Sequence, residues 1–243
     1  MLRQAIIPLA GLGTRLLPLS SVIPKELLPI NGKSNLEYIL DECIEAGIRE
    51  FIFIISKKKE VIKKYFFNDQ FYNSILAKKK DKRIKDAFKR IKKYQKMIKF
   101  VYQNKPKGTG DAILKCQKLI KNTHFLMLFP DDLIIKKNCS KEMISLHKKT
   151  KGSVIATKVV DKKTVSRWGI LDLKKKKKNY FLIKDVVEKP SIKKAPSNYA
   201  IIGRYILPKT IMKKLKKLKA GQGGEIHITD AIKKLINDGE NFY

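Results

Sequence analysis

Short apolar runs alternate with stretches of helical periodicity along the whole chain, and this alternation constrains the fold most. Residues 4–10 (QAIIPLA), 51–56 (FIFIIS), 100–103 (FVYQ) and 124–132 (HFLMLFPDD) are too brief for helices and largely apolar, so they read as buried strands. Further strands are expected near 153–160, 168–173, 180–187 and 198–207, with the polar run 174–179 as a hairpin tip. Leu36, Ile39, Leu40, Cys43 and Ile44 fall on one helical face, and Gly47 supplies a stop. Helices are also expected over 59–67, 73–97, 111–120, 140–149, 208–218 and 228–237. Strands alternating with helices predict an α/β fold built from βαβ units, with an antiparallel piece at 168–187. With no internal repeat and no Pro/Gly/Ser linker, the 243 residues predict one domain, with halves of about 1–135 and 136–243.

Charge narrows the function classes less than its size suggests. Lys+Arg number 55 and Asp+Glu 22, a net charge of +33, and all but seven of the basic residues are lysines. Base-reading proteins favour arginine, whose fork grips phosphates and guanine edges at two points. The lysines are dispersed in runs such as 57–59, 78–80 and 174–178, without interleaved aromatic platforms. A lysine-favouring codon bias accounts for that pattern, so no specific nucleic-acid partner is expected. No apolar run approaches the roughly 20 residues that span a bilayer. Cys43, Cys116 and Cys139 form no CxxC pair, which predicts reduced thiols and a cytoplasmic location.

The segment Ala10-Gly11-Leu12-Gly13-Thr14-Arg15 directly follows the first strand. Glycines there let backbone amides approach an anion closely, although a plain turn would use them equally well. The dinucleotide fingerprint needs a third glycine where Leu16 stands. A Walker A loop ending at Gly32-Lys33-Ser34 needs its first glycine where Leu27 stands. Arg15, and then Lys25 within Pro24-Lys25-Glu26, add a bidentate phosphate binder and a point charge. Together they suit a nucleoside triphosphate better than a redox cofactor.

The pattern G-L-G-T-R, eight residues, P-K-E resembles the sugar nucleotidyltransferases. The stretches AIIPLAGLGTRLLP, IPKELLPI, LEYILDECIEAGI, YQNKPKGTGDAI, FPDD, WGILD, VVEKP, APSNYAIIGRYIL and GGEIHITDAI carry the likeness nearly end to end. The resemblance implies a Rossmann-like mixed, mostly parallel sheet flanked by helices, with a small antiparallel sugar-side portion. It implies uridylyl transfer from UTP to glucose 1-phosphate. Thymidylyl-transferring relatives read Gly-Gly-x-Gly-Thr-Arg and Ser-Lys-Gln where this chain has Gly-Leu-Gly-Thr-Arg and Pro-Lys-Glu.

On that resemblance Ala10, Gly11, Gly13, Thr14 and Glu26 lie around the nucleotide, and Arg15 and Lys25 offset triphosphate charge. Gln103 reads the uracil edge through an amide that can donate and accept, and Gly108 lets backbone pack on the base. Asp131 binds Mg²⁺. Gly169 and Glu188 meet the sugar, and Lys189 holds its phosphate. Taken singly, an Asp-Asp pair after a strand is also a common loop start, and Glu188-Lys189-Pro190 a plausible hairpin exit. A homo-oligomer is a further expectation from the family. The chain departs from the pattern at Asp111, where the family often has His, at His227, where it often has Gln, and at Asn104, where Gly is usual. The family's second metal-binding aspartate lies in an Asp-x-Gly stretch after the last strand. Residues 239–243 read GENFY, so the expectation is a metal held by Asp131 alone, with slow turnover and a high Mg²⁺ requirement.

Overall fold

The computed structural model describes residues 2–177, 179–221 and 224–243. Strand β1 (Gln4–Pro8) leads through three-ten turns into a two-residue hairpin, β2 (Pro29–Ile30) and β3 (Lys33–Ser34). Asn31 and Gly32 both have positive φ there, 43° and 75°, the geometry that tight hairpin turns require. Helix α1 (Asn35–Glu45) starts at a capping box: Glu37 N donates to Ser34 Oγ at 3.3 Å and Ser34 N to Glu37 Oε1 at 3.2 Å. Next come β4 (Glu50–Ile55), α2 (Glu60–Phe67), α3 (Asp69–Lys78), α4 (Lys82–Gln95), β5 (Ile98–Tyr102), α5 (Thr109–Lys115) and β6 (His124–Leu128). The remainder comprises α6 (Cys139–Thr150), β7 (Val154–Val159), β8 (Gly169–Lys176), β9 (Phe181–Glu188), β10 (Tyr199–Pro208), α7 (Ile211–Lys216) and α8 (Ile228–Asn237).

One mixed sheet runs β5-β4-β1-β6-β10-β8-β9, with β7 also paired to β10. β5, β4, β1 and β6 are parallel, whereas β10 is antiparallel to β6, β7 and β8, and β8 to β9. Alternate strand residues point to opposite faces, and each face meets its own helices. Ile6, Ile52 and Met127 pack with residues of α5, α7 and α8, while Ile7, Phe53 and Leu126 pack with α1, α2, α4 and α6. Both faces are covered, which is why the parallel strands are apolar throughout. A buried ion pair ties the sheet to one helical layer: Arg204 on β10 donates to Glu42 on α1 at 2.8 Å, and Glu42 also accepts from Ser140 Oγ, on α6, at 2.7 Å.

The expected α/β architecture is present, and three local expectations change. The helix expected over 73–97 is two helices, because Asp81 accepts from Arg83 N at 2.8 Å and caps a new start after Lys79 becomes extended. The hairpin tip expected at 174–179 is shorter, since Lys175 and Lys176 pair with Leu182 and Phe181; Lys178 lies outside the described residues. The helix expected over 111–120 ends at Lys115 and continues only as a three-ten turn at 117–119. Among the described residues no helix is long and apolar enough to cross a membrane. All three cysteines are free.

Candidate active site

Parallel pairing brings the carboxyl ends of β5, β4, β1 and β6 to one edge, where open α/β sheets bind ligands. The loop after β1 carries Ala10, Gly11, Gly13, Thr14 and Arg15. Gly13 has φ +69°, a conformation favouring glycine, and its carbonyl accepts from Ser20 Oγ at 2.8 Å. A Cβ on Gly11 would meet no described atom within 4 Å, so the backbone there stays open to an approaching group. A cleft of about 650 Å³ is lined by Gly13, Thr14, Arg15, Lys25, Asn35 and Asp131, among others.

Lys25 Nζ donates to Asp131 Oδ2 across this cleft. Asn35, at the first position of α1, donates from Nδ2 to Pro130 O at 2.9 Å and so anchors the loop bearing Asp131. The Asn35 Oδ1 is buried and accepts no hydrogen bond among the described residues. Burial pushes the Asp132 carboxyl above the usual carboxylate range; Lys158, Arg204 and Lys25 pull it back, and Asp131 adds to the rise. Among the described residues no three His, Cys, Asp or Glu side chains gather into a metal-binding group. Asp131, whose side chain is about half exposed, still suits a hard cation that keeps waters and borrows substrate oxygens.

Glu26, expected beside the nucleotide, is 1% exposed, and its two carboxylate oxygens lie 2.8 and 2.9 Å from Lys59 Nζ. Its neighbour Lys25 is thereby held from behind by a buried ion pair. Gln103 follows β5, and both its partners are acceptors: Nε2 donates to Asp111 Oδ2 at 2.8 Å and to Gly108 O at 3.1 Å. The amide therefore spends its donors inside the protein, which narrows the expected donate-and-accept role. Gly108 has φ +90°, and a Cβ there would lie 2.7 Å from Ile226 O. Packing of the protein on itself thus requires this glycine.

On the other side, Gly169 faces Glu188 across the β8–β9 ladder. A Cβ on Gly169 would come within 3.1 Å of Ile201 Cδ1 and 3.4 Å of Glu188 Oε2. Thr229, at the start of α8, donates from Oγ1 to Glu188 Oε2 at 2.9 Å. Lys189 takes φ +43°, unusual for a side-chain-bearing residue, and such backbone clusters at ligand-binding positions. Its Nζ lies 3.9 Å from Glu188 Oε1. The Tyr205 phenol is raised by burial, with further contributions from Glu188 and then Asp132.

Asn35, Lys59 and Thr229 escaped the sequence reading. Asn35 left a weak signal, a polar residue directly after the Ser34 cap. Lys59 and Thr229 left none, since their partners lie 33 and 41 residues away.

The profile of the nucleotidyl transferase family matches residues 4–243. The UTP–glucose-1-phosphate uridylyltransferase of Mycoplasma pneumoniae is 37% identical over 249 aligned positions, covering 100% of this chain and 84% of that protein. UTP–glucose-1-phosphate uridylyltransferase 1 of Staphylococcus saprophyticus is 37% identical, covering 98% and 83%. A UDP-glucose pyrophosphorylase crystallised with UDP-glucose superposes with a TM-score of 0.85 at 34% identity, covering 100% of this chain and 90% of that one. UTP-bound UGPase from Acinetobacter baumannii gives 0.87 at 31%, covering 100% and 86%. A family profile spanning nearly every residue, relatives above a third identical and a cleft that gathers Arg15, Lys25 and Asp131 agree: the chain belongs to the nucleotidyl transferase family.

Proposed function

We propose that the protein transfers the uridylyl group of UTP to glucose 1-phosphate, giving UDP-glucose and pyrophosphate. The observation that carries this reading is the convergence of two cations and a carboxylate in one cleft. Arg15, Lys25 and Asp131 line it, and Glu188 and Lys189 stand together at the end of β9, with Lys189 Nζ 3.9 Å from Glu188 Oε1. The likeness to a pyrophosphorylase bound to UDP-glucose and to another bound to UTP supports the choice of substrates.

In this reading an oxygen of the glucose 1-phosphate attacks the α-phosphorus in line. The new O–P bond forms as the bond to the β-phosphate oxygen breaks, and pyrophosphate leaves. The nucleophile is already an anion, so the chain has no proton to remove. Its work is positioning and charge neutralisation. Arg15 and Lys25 meet the triphosphate. Lys189 holds the sugar phosphate against its repulsion from the nucleotide, and Glu188 accepts hydrogen bonds from the sugar hydroxyls. Asp131 would hold Mg²⁺, which supplies further neutralisation of the phosphates when bound. Gln103 faces the base. Free thiols suit a reducing compartment such as the cytoplasm, and the dispersed lysines suit no particular nucleic acid.

A pyrophosphate-release assay with UTP, glucose 1-phosphate and Mg²⁺ tests the reading. UDP-glucose and pyrophosphate should appear in equal amounts. Pyrophosphate release from UTP that does not depend on the sugar phosphate would overturn it.

A further inference from the structure

We propose that Asp111 is a positioning residue that locks Gln103 with its amide oxygen as the sole free end, and that this lock selects uracil over cytosine. The inference rests on the uridylyl reading and deepens it. Which end of an amide points where is settled here by chemistry. An ionised carboxylate and a backbone carbonyl only accept hydrogen bonds. Gln103 reaches both, Asp111 Oδ2 at 2.8 Å and Gly108 O at 3.1 Å, so its nitrogen must face them. Both amide hydrogens are then used. The oxygen, Oε1, accepts no hydrogen bond from the described residues.

The partners are themselves fixed. Asp111 stands in the first turn of α5, and Lys115 Nζ lies 3.7 Å from its other oxygen. Gly108 is clamped by the segment before α8: Ile226 N donates to Lys107 O at 2.9 Å, and Gly110 N to Ile226 O at 2.8 Å. The Gly108 carbonyl also accepts from Ala112 N at 3.3 Å. Gln103 N is held by Ile55 O at 2.8 Å. The side chain thus has little freedom to turn.

An amide restricted to its oxygen is an acceptor only. Uracil presents an N3–H donor on its pairing edge, whereas cytosine presents a bare N3 lone pair at that position. Facing the fixed Oε1, uracil gains a hydrogen bond and cytosine meets repulsion. A neutral hydrogen-bonding group at position 111 would loosen the lock to the single contact with Gly108 O, because it can accept from the amide nitrogen or donate to the amide oxygen.

The test compares UTP and CTP, each with Mg²⁺, on the wild type, Asp111→Asn and Asp111→Ser. Binding is measured by calorimetry and turnover with glucose 1-phosphate by pyrophosphate release. The wild type should prefer UTP. The preference should fall by about tenfold or more in both variants, the scale of one mispaired polar contact. Two variants guard against one that fails to fold, checked by circular dichroism. Loss of UTP and CTP binding by equal factors, a structural effect, would overturn the inference, as would a wild type that binds both alike. Failure of the proposed reaction reads differently: no UDP-glucose forms, while the binding preference and its dependence on residue 111 can still be measured.

Discussion

Lys25 and Asp131, 106 residues apart in sequence, are hydrogen-bonded to each other. The cation expected to meet the triphosphate and the carboxylate expected to meet the metal therefore hold one another when neither is present. Lys25→Ala should have effects of opposite sign. Mg²⁺ should bind the nucleotide-free protein a few-fold more tightly, as a partly exposed pair of roughly 0.5–1 kcal/mol is released. Turnover should fall by about 10²–10³, on the scale of roughly 2.7–4 kcal/mol for one lost charge-stabilising donor. Mg²⁺ titration and kcat measured on the same preparation check both signs. Lys189→Ala should share the loss of turnover, with the melting temperature nearly unchanged because its side chain is about half exposed.

Thr229 should act on the sugar phosphate and not on the nucleotide. Thr229→Val keeps the shape and removes the hydrogen bond to Glu188. The KM for glucose 1-phosphate should rise about tenfold, the scale of one hydrogen bond to a charged group. The KM for UTP should stay within about twofold on the same reasoning. Equal rises in both would contradict the placement of Glu188.

Removing one member of the Glu26–Lys59 pair leaves a buried charge without its partner. Lys59→Met should cost about 3–5 kcal/mol in urea denaturation. The double variant Lys59→Met/Glu26→Gln should recover most of that loss. A double variant no more stable than the single one would show that Lys59 acts through packing alone.

The His124 and His147 rings lie 4.6 Å apart between centres, tilted by 50°, and burial followed by the His147 charge pulls the His124 pKa down from 6.5 to about 4. His147 faces Gly152 O at 2.8 Å through Nδ1. The unfolded chain binds a proton at His124 between those two values and the folded chain does not. Stability from this site is therefore complete above about pH 6.5 and is lost as pH falls toward 4, by about 1–2 kcal/mol because the ring keeps part of its water. His124→Asn should flatten that part of the stability–pH curve. An unchanged slope between pH 6.5 and 4.5 would falsify the assignment.

Local features were legible in the sequence wherever one stretch of chain determines them. The strand before Gly11 and the helix over Ile228–Asn237 follow from apolar patterning. The glycine-bearing loop after β1 follows from its glycines and Arg15. What stayed hidden depends on contacts between distant segments. Glu26 reads as a ligand-facing neighbour of Lys25 until Lys59 arrives from the end of β4. Gln103 reads as a free amide until Asp111 and Gly108 take its hydrogens. The break between α3 and α4 went unseen because lysines continue through it, and only the capping bond of Asp81 marks the new start.

Strand β10 pairs with β6 through residues 204–208 and with β7 through 199–201 and 205–206. It also meets β8 at Ala200. The expected nucleotide and sugar halves consequently have a strand in common. A fragment cut after residue 135 would leave β6 with a row of bare amides and carbonyls along one side, flanked by apolar side chains. Such an open border invites strand addition from other copies, so the shorter piece would tend to precipitate instead of serving as a small nucleotide-binding module.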